Sequence, residues 1–347
     1  MEHAYSVQRL RKVIMDIIAA VGLEPSMAKV FADSIVAADL RGVKSHGTIR
    51  VPEYVRRVES KVLDPKAEVK FIRDEGATGL LDGGNGFGQA AAYKAMRRAI
   101  EKATAHGVGL VGVRNSNHFG IASYYAMTAL EAGMIGVVMT NASPAMNPFG
   151  TITPLLGTNP IAVAVPAGTE KPIVLDMSTS LVARGKIRFA ALTGKEIPLG
   201  WATDANGEPT TDAQKALKGS LEPIGGVKGS GLSLLVDILC GILTNSCLTG
   251  EVKTIVDISG PAKTGHLFGA IDIAHFIGLD LFKNNVDAVI QHIKSLPSKG
   301  GQEIFLPGEI EFNLAEKRAK EGIPLEDAVV QNLNALGVRY HAGRLEE

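Results

Sequence analysis

The chain has 347 residues, and its 36 lysines plus arginines balance 36 aspartates plus glutamates, so the formal charge is zero with histidine neutral. That balance provides no general field for polyanions and argues against nucleic-acid and membrane-surface roles. The length exceeds one minimal core and points to two lobes, or one domain with a large insertion.

Val7, Leu10, Ile14, Ile17, Ile18 and Val21 recur at helical spacing, and Gly22 closes this first predicted helix. Arg9, Arg11 and Lys12 interrupt the N-terminus, and no apolar stretch reaches spanning length, so a soluble cytoplasmic protein is expected. A second helix runs from Pro25 to about Arg41, with Met27, Val30, Phe31, Ile35 and Ala38 along one face and Gly42 as breaker. Val51, Tyr54, Val55 and Val58 carry a third helix, placing Arg50 in its first turn and His46 just before it. The segment Ser45-His46-Gly47-Thr48-Ile49-Arg50 thus enters a helix N-terminus, where one turn can aim His46 and Arg50 at the same small anion.

From about residue 68 short β-branched runs alternate with Ala-rich helices. Strands are expected at Val69–Ile72, Thr78–Leu81, Val108–Val113, Gly136–Thr140, Ile161–Val165 and Ile173–Leu175, and helices at Gln89–Ala105 and Ile121–Ala132. This is an α/β core. Gly157 to Lys186 and Trp201 to Asp212, rich in Gly, Pro, Asn and Thr, are expected as surface loops or arms and as candidates for a dimer contact. Gly229–Leu243 reads as a strongly apolar helix, Leu267–Ile273 as a buried strand and Leu279–Ile293 as an amphipathic helix, with final helices near Asn313–Lys320 and Leu325–Leu336. Cys240 and Cys247, inside the apolar run, read as reduced core thiols.

Gly83-Gly84-Asn85-Gly86-Phe87-Gly88 lies between a strand and a helix but fails the dinucleotide fingerprint, because Gln89 occupies its last glycine position and no acidic residue follows at the required distance. A tight turn is the expected use, and a Rossmann fold is not. Gly225-Gly226 and Lys228-Gly229-Ser230-Gly231 bring exposed backbone N–H groups, a lysine and a helix N-terminus together, a phosphate cradle without the Walker order. Asp176-Met177-Ser178-Thr179-Ser180 follows a strand, where a carboxylate can accept from a ribose hydroxyl or cap a helix. Asn115-Ser116-Asn117-His118-Phe119-Gly120 sets a second histidine on a small-residue loop with room for a substrate. No histidine spacing matches a metal motif, and no metal is expected.

Taken in order, Ser45-His46-Gly47 with Arg50, Arg114 to Gly120, Leu156-Gly157-Thr158-Asn159-Pro160, Asp176 to Ser180, Gly225 to Gly231 and Leu306-Pro307-Gly308-Glu309 resemble the type-2 malate/L-lactate dehydrogenase family over about residues 5 to 340. That family also includes sulfolactate and ureidoglycolate dehydrogenases, diketogulonate reductases and cyclic imino-acid reductases. The resemblance implies a non-Rossmann mixed central sheet flanked by helices. It also implies a helical portion built from N- and C-terminal segments (1–75 plus 310–347), an α/β core over 76–309 with a loop-rich arm around 145–220, and a homodimer. It implies hydride transfer between NAD, or NADP, and a small 2-hydroxy or 2-oxo acid, L-malate or L-lactate first. By position His118 matches the proton donor/acceptor and His46 the substrate-binding histidine, counted with it in the catalytic pair. Arg50 matches the carboxylate-binding arginine, and Ser45, Tyr54 and Thr158 further substrate contacts. Ala142, Asp176, Met177, Ser178, Lys228, Gly229, Pro307, Gly308 and Glu309 fall on cofactor contacts. Val227 and Ser230 stand where many members carry aromatic residues, which leaves this phosphate loop small and polar. Reduction of a cyclic imine carboxylate, which needs the same clamp and hydride, is the neighbouring alternative. A silent ligand-binding protein and a metal hydrolase are those of other classes.

Overall fold

A computed structural model describes residues 2–345. The elements, in chain order, are β1 (Glu2–Tyr5), α1 (Val7–Val21), α2 (Pro25–Leu40), α3 (Val51–Glu59), β2 (Lys70–Glu75), β3 (Thr78–Asp82), α4 (Gly88–His106), β4 (Val108–Ser116), α5 (Ala122–Thr128), β5 (Met134–Thr140), β6 (Ile161–Val165) and β7 (Ile173–Met177). They continue with α6 (Arg184–Leu192), α7 (Ala213–Lys218), α8 (Val227–Asp237), β8 (Thr264–Asp272), α9 (Leu279–Ser295), α10 (Glu309–Glu321), β9 (Ile323–Glu326) and α11 (Asp327–Arg339).

The apolar stripe of α1 and the buried faces of α2 and α3 pack with Ile323, Leu325, Val330 and Leu333 into one core, so chain ends three hundred residues apart share a hydrophobic interior. β1 pairs antiparallel with β9, closing that union. Sequence patterning had put Leu325 in the last helix. It belongs to β9 instead, because a four-residue strand is visible only through its distant partner.

The central sheet has seven strands in the order β2-β3-β4-β8-β5-β6-β7, mixed in direction. Only β3 and β4 are parallel neighbours, which is incompatible with a doubly wound nucleotide fold. The register matters for function. The C-terminal ends of β3, β4, β5 and β7 and the N-terminal ends of β8 and β6 fall on one edge of the sheet, where Ser116 pairs with Thr264, Thr140 with His266, and Ile161 with Met177. The loops that carry Gly83–Gly88, His118, Ala142 and Ser178 leave the sheet at this end, after β3, β4, β5 and β7.

Two expected loop regions differ in detail. Within Gly157–Lys186 the two strands also read from the pattern form as β6 and β7, both integral to the sheet, so only the remainder is loop, and α6 opens at Arg184. Met146, Leu156, Val182, Ile187, Ala202 and Leu221 instead form a small separate core that holds the surrounding arm together. The apolar helix at Gly229–Leu243 forms as α8 and continues through a π turn over Ile238–Ile242. Its apolarity is not spent in the core, for Leu232, Leu234, Leu235, Ile242 and Leu243 are exposed. Among the described residues, no helix is long and apolar enough to cross a membrane.

Candidate active site

His46 and Arg50 do not share one regular turn. Gly47 is extended (φ −89°, ψ −148°) and separates two short 3-10 turns, Lys44–His46 and Thr48–Arg50, so Arg50 becomes the residue capping α3 and not part of its first turn. The Arg50 side chain folds back, its Nε donating to the Ser45 carbonyl at 2.7 Å and its Nη1 pairing with Glu53 at 3.3 Å. Ser45 Oγ meets His46 Nδ1 at 2.9 Å. The single helical turn expected from the sequence is thus absent, and the segment is instead a broken helix entry with a folded-back arginine.

The second histidine arrives from the end of β4. His46 and His118 stack with ring centroids 5.3 Å apart and planes inclined by 20°. Tyr54, read from sequence as a substrate contact, lies behind His118. Its ring is 0% exposed and its hydroxyl meets His118 Nδ1 at 2.6 Å. The Gly120 N–H also faces Nδ1, at 3.3 Å. Both described hydrogen bonds of His118 are thus at Nδ1, which favours the tautomer with the proton on Nε2 and offers that edge to a ligand. A phenol serves either protonation state, donating to neutral imidazole and accepting from imidazolium. Burial pushes the Tyr54 phenol well above its ordinary range, so it stays protonated.

Electrostatics set the resting state of the pair. Each imidazole is half-buried, and loss of water with the nearby Arg50 charge pulls His46 down to about 4. Burial, then His46 and Arg50, hold His118 well below the ordinary histidine value. At neutral pH the site therefore holds two neutral imidazoles beside one guanidinium. An incoming carboxylate would offset the arginine and raise both histidines, readying one as an acid.

The glycine-rich turn before α4 supports this loop. Asn117 Nδ2 donates to Asn85 Oδ1 at 3.1 Å and to the Gly86 carbonyl at 2.9 Å, while the buried Arg57 donates to Asn117 Oδ1 at 3.2 Å. A Cβ at Gly88 would lie 2.6 Å from the His118 carbonyl oxygen, so the helix can approach the histidine loop only with glycine there. The turn expected at Gly83–Gly88 is present, and its use is to brace the histidine.

The residues assigned by sequence to a cofactor fall in two places, with Ala142, Met177 and Ser178 at this end of the sheet and Pro307-Gly308-Glu309 beside Val174 near the start of β7. The Ala142 N–H donates to Asn159 Oδ1 at 2.8 Å, and Asn159 Nδ2 reaches Ser233 of α8 at 2.8 Å. The Thr158 carbonyl accepts from the Thr179 N–H at 2.9 Å and its hydroxyl at 3.0 Å, and the Thr179 carbonyl accepts from the Ile224 N–H just before the Gly225-Gly226 turn. Gly225 and Gly226 both have φ +61° and open surroundings, and the exposed Lys228 follows them in the first turn of α8. Gly229 has a different reason from the one sequence suggests, because a side chain there would collide with the Ile224 backbone. Ser230 Oγ accepts from the Phe149 N–H at 2.9 Å, tying the arm to α8.

Asp176 Oδ2 accepts from the Ser123 N–H at 2.9 Å, capping α5 from across the sheet. Crowding raises this carboxyl above its usual range, offset by the Ser123 bond and the Arg41 charge. Pro307 accepts from the Val174 N–H at 2.9 Å, and Gly308 (φ +88°) packs on Val174, so Pro307-Gly308-Glu309 lies beside the strand carrying Asp176 and Met177. Glu309 is paired with Lys294 and accepts from the Leu306 N–H at 3.1 Å. Met177 ends β7, and Ser178 Oγ meets Ser180 Oγ at 3.0 Å.

Sequence reasoning missed the residue that ties the two halves together. His266 is fully buried, with Nε2 2.8 Å from Ser116 Oγ and Nδ1 2.7 Å from Thr140 Oγ1, so it links the strand that delivers His118 to the strand that delivers Ala142. These strands flank β8, which places their ends about 10 Å apart at the usual strand spacing. Burial holds His266 down to about 3, neutral under all ordinary conditions. Among the described residues, no three His, Cys, Asp or Glu side chains are grouped as a metal site would require.

Residues 5–334 match the family model described as malate/L-lactate dehydrogenase. A malate/(S)-sulfolactate dehydrogenase from Methanothermus fervidus is 42% identical over 331 residues, covering 95% of this chain and 96% of that protein. A malate dehydrogenase from Pyrococcus abyssi is 42% identical over 342 residues, covering 96% of this chain and 94% of that protein. Among solved structures, the sulfolactate dehydrogenase from Methanocaldococcus jannaschii superposes with a TM-score of 0.93 at 39% identity, covering 99% of each chain.

Proposed function

The chain belongs to the malate/L-lactate dehydrogenase family, an oxidoreductase of hydroxy acids working with a nicotinamide cofactor, and on that premise we propose that it interconverts L-malate or L-lactate with the 2-oxo acid, using NAD. The observation that carries the reading is the His46/His118 stack beside Arg50, backed by the Tyr54 hydroxyl. Malate is the first choice because similar proteins carry that name.

In this reading Arg50 and Ser45 hold the substrate carboxylate, and a guanidinium anchored at Nε by the Ser45 carbonyl keeps a defined orientation. His46, stacked on His118, joins this clamp to the acid. His118 gives a proton from Nε2 to the developing alkoxide during reduction and takes it back during oxidation, while Tyr54 follows the change at Nδ1. A bound nicotinamide supplies or takes up the hydride.

The residues present fit such a cofactor. The open Gly225-Gly226 backbone, the α8 N-terminus and Lys228 are suited to phosphates, and Ala142, Thr158 and Asp176 to Ser178 stand near the same end of the sheet, while Pro307 to Glu309 runs along β7 beside Val174. A homodimer accounts for the exposed Leu232, Leu234, Leu235, Ile242 and Leu243, a strip too apolar to be left to water. The deciding experiment is a panel of oxaloacetate, pyruvate, sulfopyruvate and piperideine-2-carboxylate, each tested with NADH and with NADPH. The reading expects oxaloacetate or pyruvate with NADH to give the highest kcat/KM. Activity confined to the cyclic imine would replace it.

A further inference from the structure

Asp39 sits in the last turn of α2, where the helix dipole disfavours a carboxylate, and it is 3% exposed. A buried charge in such a place is costly unless its surroundings compensate it. They do so at one point. Asp39 Oδ2 accepts from the Thr48 N–H at 2.8 Å and from the Thr48 hydroxyl at 2.6 Å. The other oxygen, Oδ1, occupies the space where a side chain on residue 47 would begin, so Gly47 is the only residue that admits the carboxylate. On the far side Arg318 of α10 donates to the Asp39 backbone carbonyl, and Lys44 and Arg318 are the charges that face the carboxyl.

The two residues held in this way, Gly47 and Thr48, are two of the three that separate His46 from Arg50. We propose that Asp39 is a positioning residue for the substrate-carboxylate clamp: it never touches substrate, but it fixes the extended Gly47 link and thereby the relative placement of His46 and Arg50. Both the broken helix entry and the folded-back arginine follow from that anchor. This inference rests on the assignment of Arg50 to a substrate carboxylate.

The test compares Asp39→Asn, Asp39→Ala and Thr48→Val in the full-length enzyme. Asparagine keeps an oxygen that can accept both Thr48 donors, so KM for the 2-oxo acid should stay within about threefold of wild type. Alanine removes the anchor, and KM should rise about 10- to 100-fold while kcat at saturation and NADH affinity by fluorescence change little. Thr48→Val removes one donor without burying a lone charge in a cavity, and it should raise KM about three- to tenfold even if Asp39→Ala does not fold. Histidine-ring NMR reads the loop without substrate: the His46 signals should move in Asp39→Ala and Thr48→Val but not in Asp39→Asn. Unchanged KM and His46 signals in the variants that fold, or loss of NADH binding together with activity, would overturn the proposal. If wild type reduces no member of the panel, the functional reading fails, and the NMR comparison still decides whether Asp39 sets the loop.

Discussion

Replacing Tyr54 with phenylalanine isolates one oxygen atom. The ring stays in its aromatic pocket, edge-on to Phe31 at 4.9 Å, so packing is kept while the 2.6 Å contact to His118 Nδ1 is lost, together with the hydroxyl's interactions with Gln89 and the Gly120 backbone. Once His118 takes up a proton, its Nδ1–H would then face the Gly120 N–H at 3.3 Å, a donor opposite a donor. A hydrogen bond to a charged group contributes about 1.5–3 kcal/mol, and at about 1.4 kcal/mol per tenfold this predicts a kcat for oxo-acid reduction roughly 10- to 150-fold lower. KM should change little, because Arg50 is untouched. The sign of the pH effect is fixed too. Loss of an acceptor for the imidazolium lowers the proton affinity of His118 further, so the high-pH limb of the reductive kcat moves to lower pH. Steady-state rates from pH 5 to 9 for wild type and variant provide the measurement. A kcat within twofold of wild type, with the limb unmoved, would show that Tyr54 does not orient the acid.

Three further outcomes are expected. His118→Asn should lower kcat by about 100-fold or more with substrate binding retained, whereas Arg50→Met should act mainly on KM, a split read from steady-state kinetics. His266, held near 3 against about 6.5 unfolded, takes up its proton only on unfolding, so the stability it contributes is complete above pH 6.5 and is lost as pH falls toward 3. Wild type should therefore lose about 2 kcal/mol more than His266→Gln between pH 7 and 5, by denaturant titration at fixed protein concentration. Gly229→Ala should lower melting temperature and weaken NADH binding about tenfold or more, because a Cβ there displaces the Ile224 backbone that leads into the phosphate loop. Gly231→Ala, which meets nothing within 4 Å, is the control expected to bind NADH normally.

Much of the architecture was legible in local pattern. The stripes of α1 and α2, the β-branched runs that became β3 to β8 and the failed dinucleotide fingerprint each depend on residues close in sequence, where side-chain period and glycine conformation act directly. The short helices α6 and α7 and the β1–β9 pair were not anticipated, because they are stabilised by the arm's own core and by a partner three hundred residues away. One signal was available and unread. Asp39 lies four residues after Ile35, an acid on the apolar face of its helix, and a charge in that position asks what it holds.

Which residue types can meet a carboxylate, a proton and a phosphate is written in the chain's own side chains and glycine backbone. Tertiary structure decided which of them meet one another. Tyr54 and His118 are 64 residues apart, and no spacing rule predicts a hydroxyl behind an imidazole. His266 joins two loops only because antiparallel register sets Ser116 on one side of it and Thr140 on the other. Asp39 reaches past Gly47 because a missing side chain leaves room for it. Each of these contacts depends on long-range packing and strand register, which local propensity does not encode.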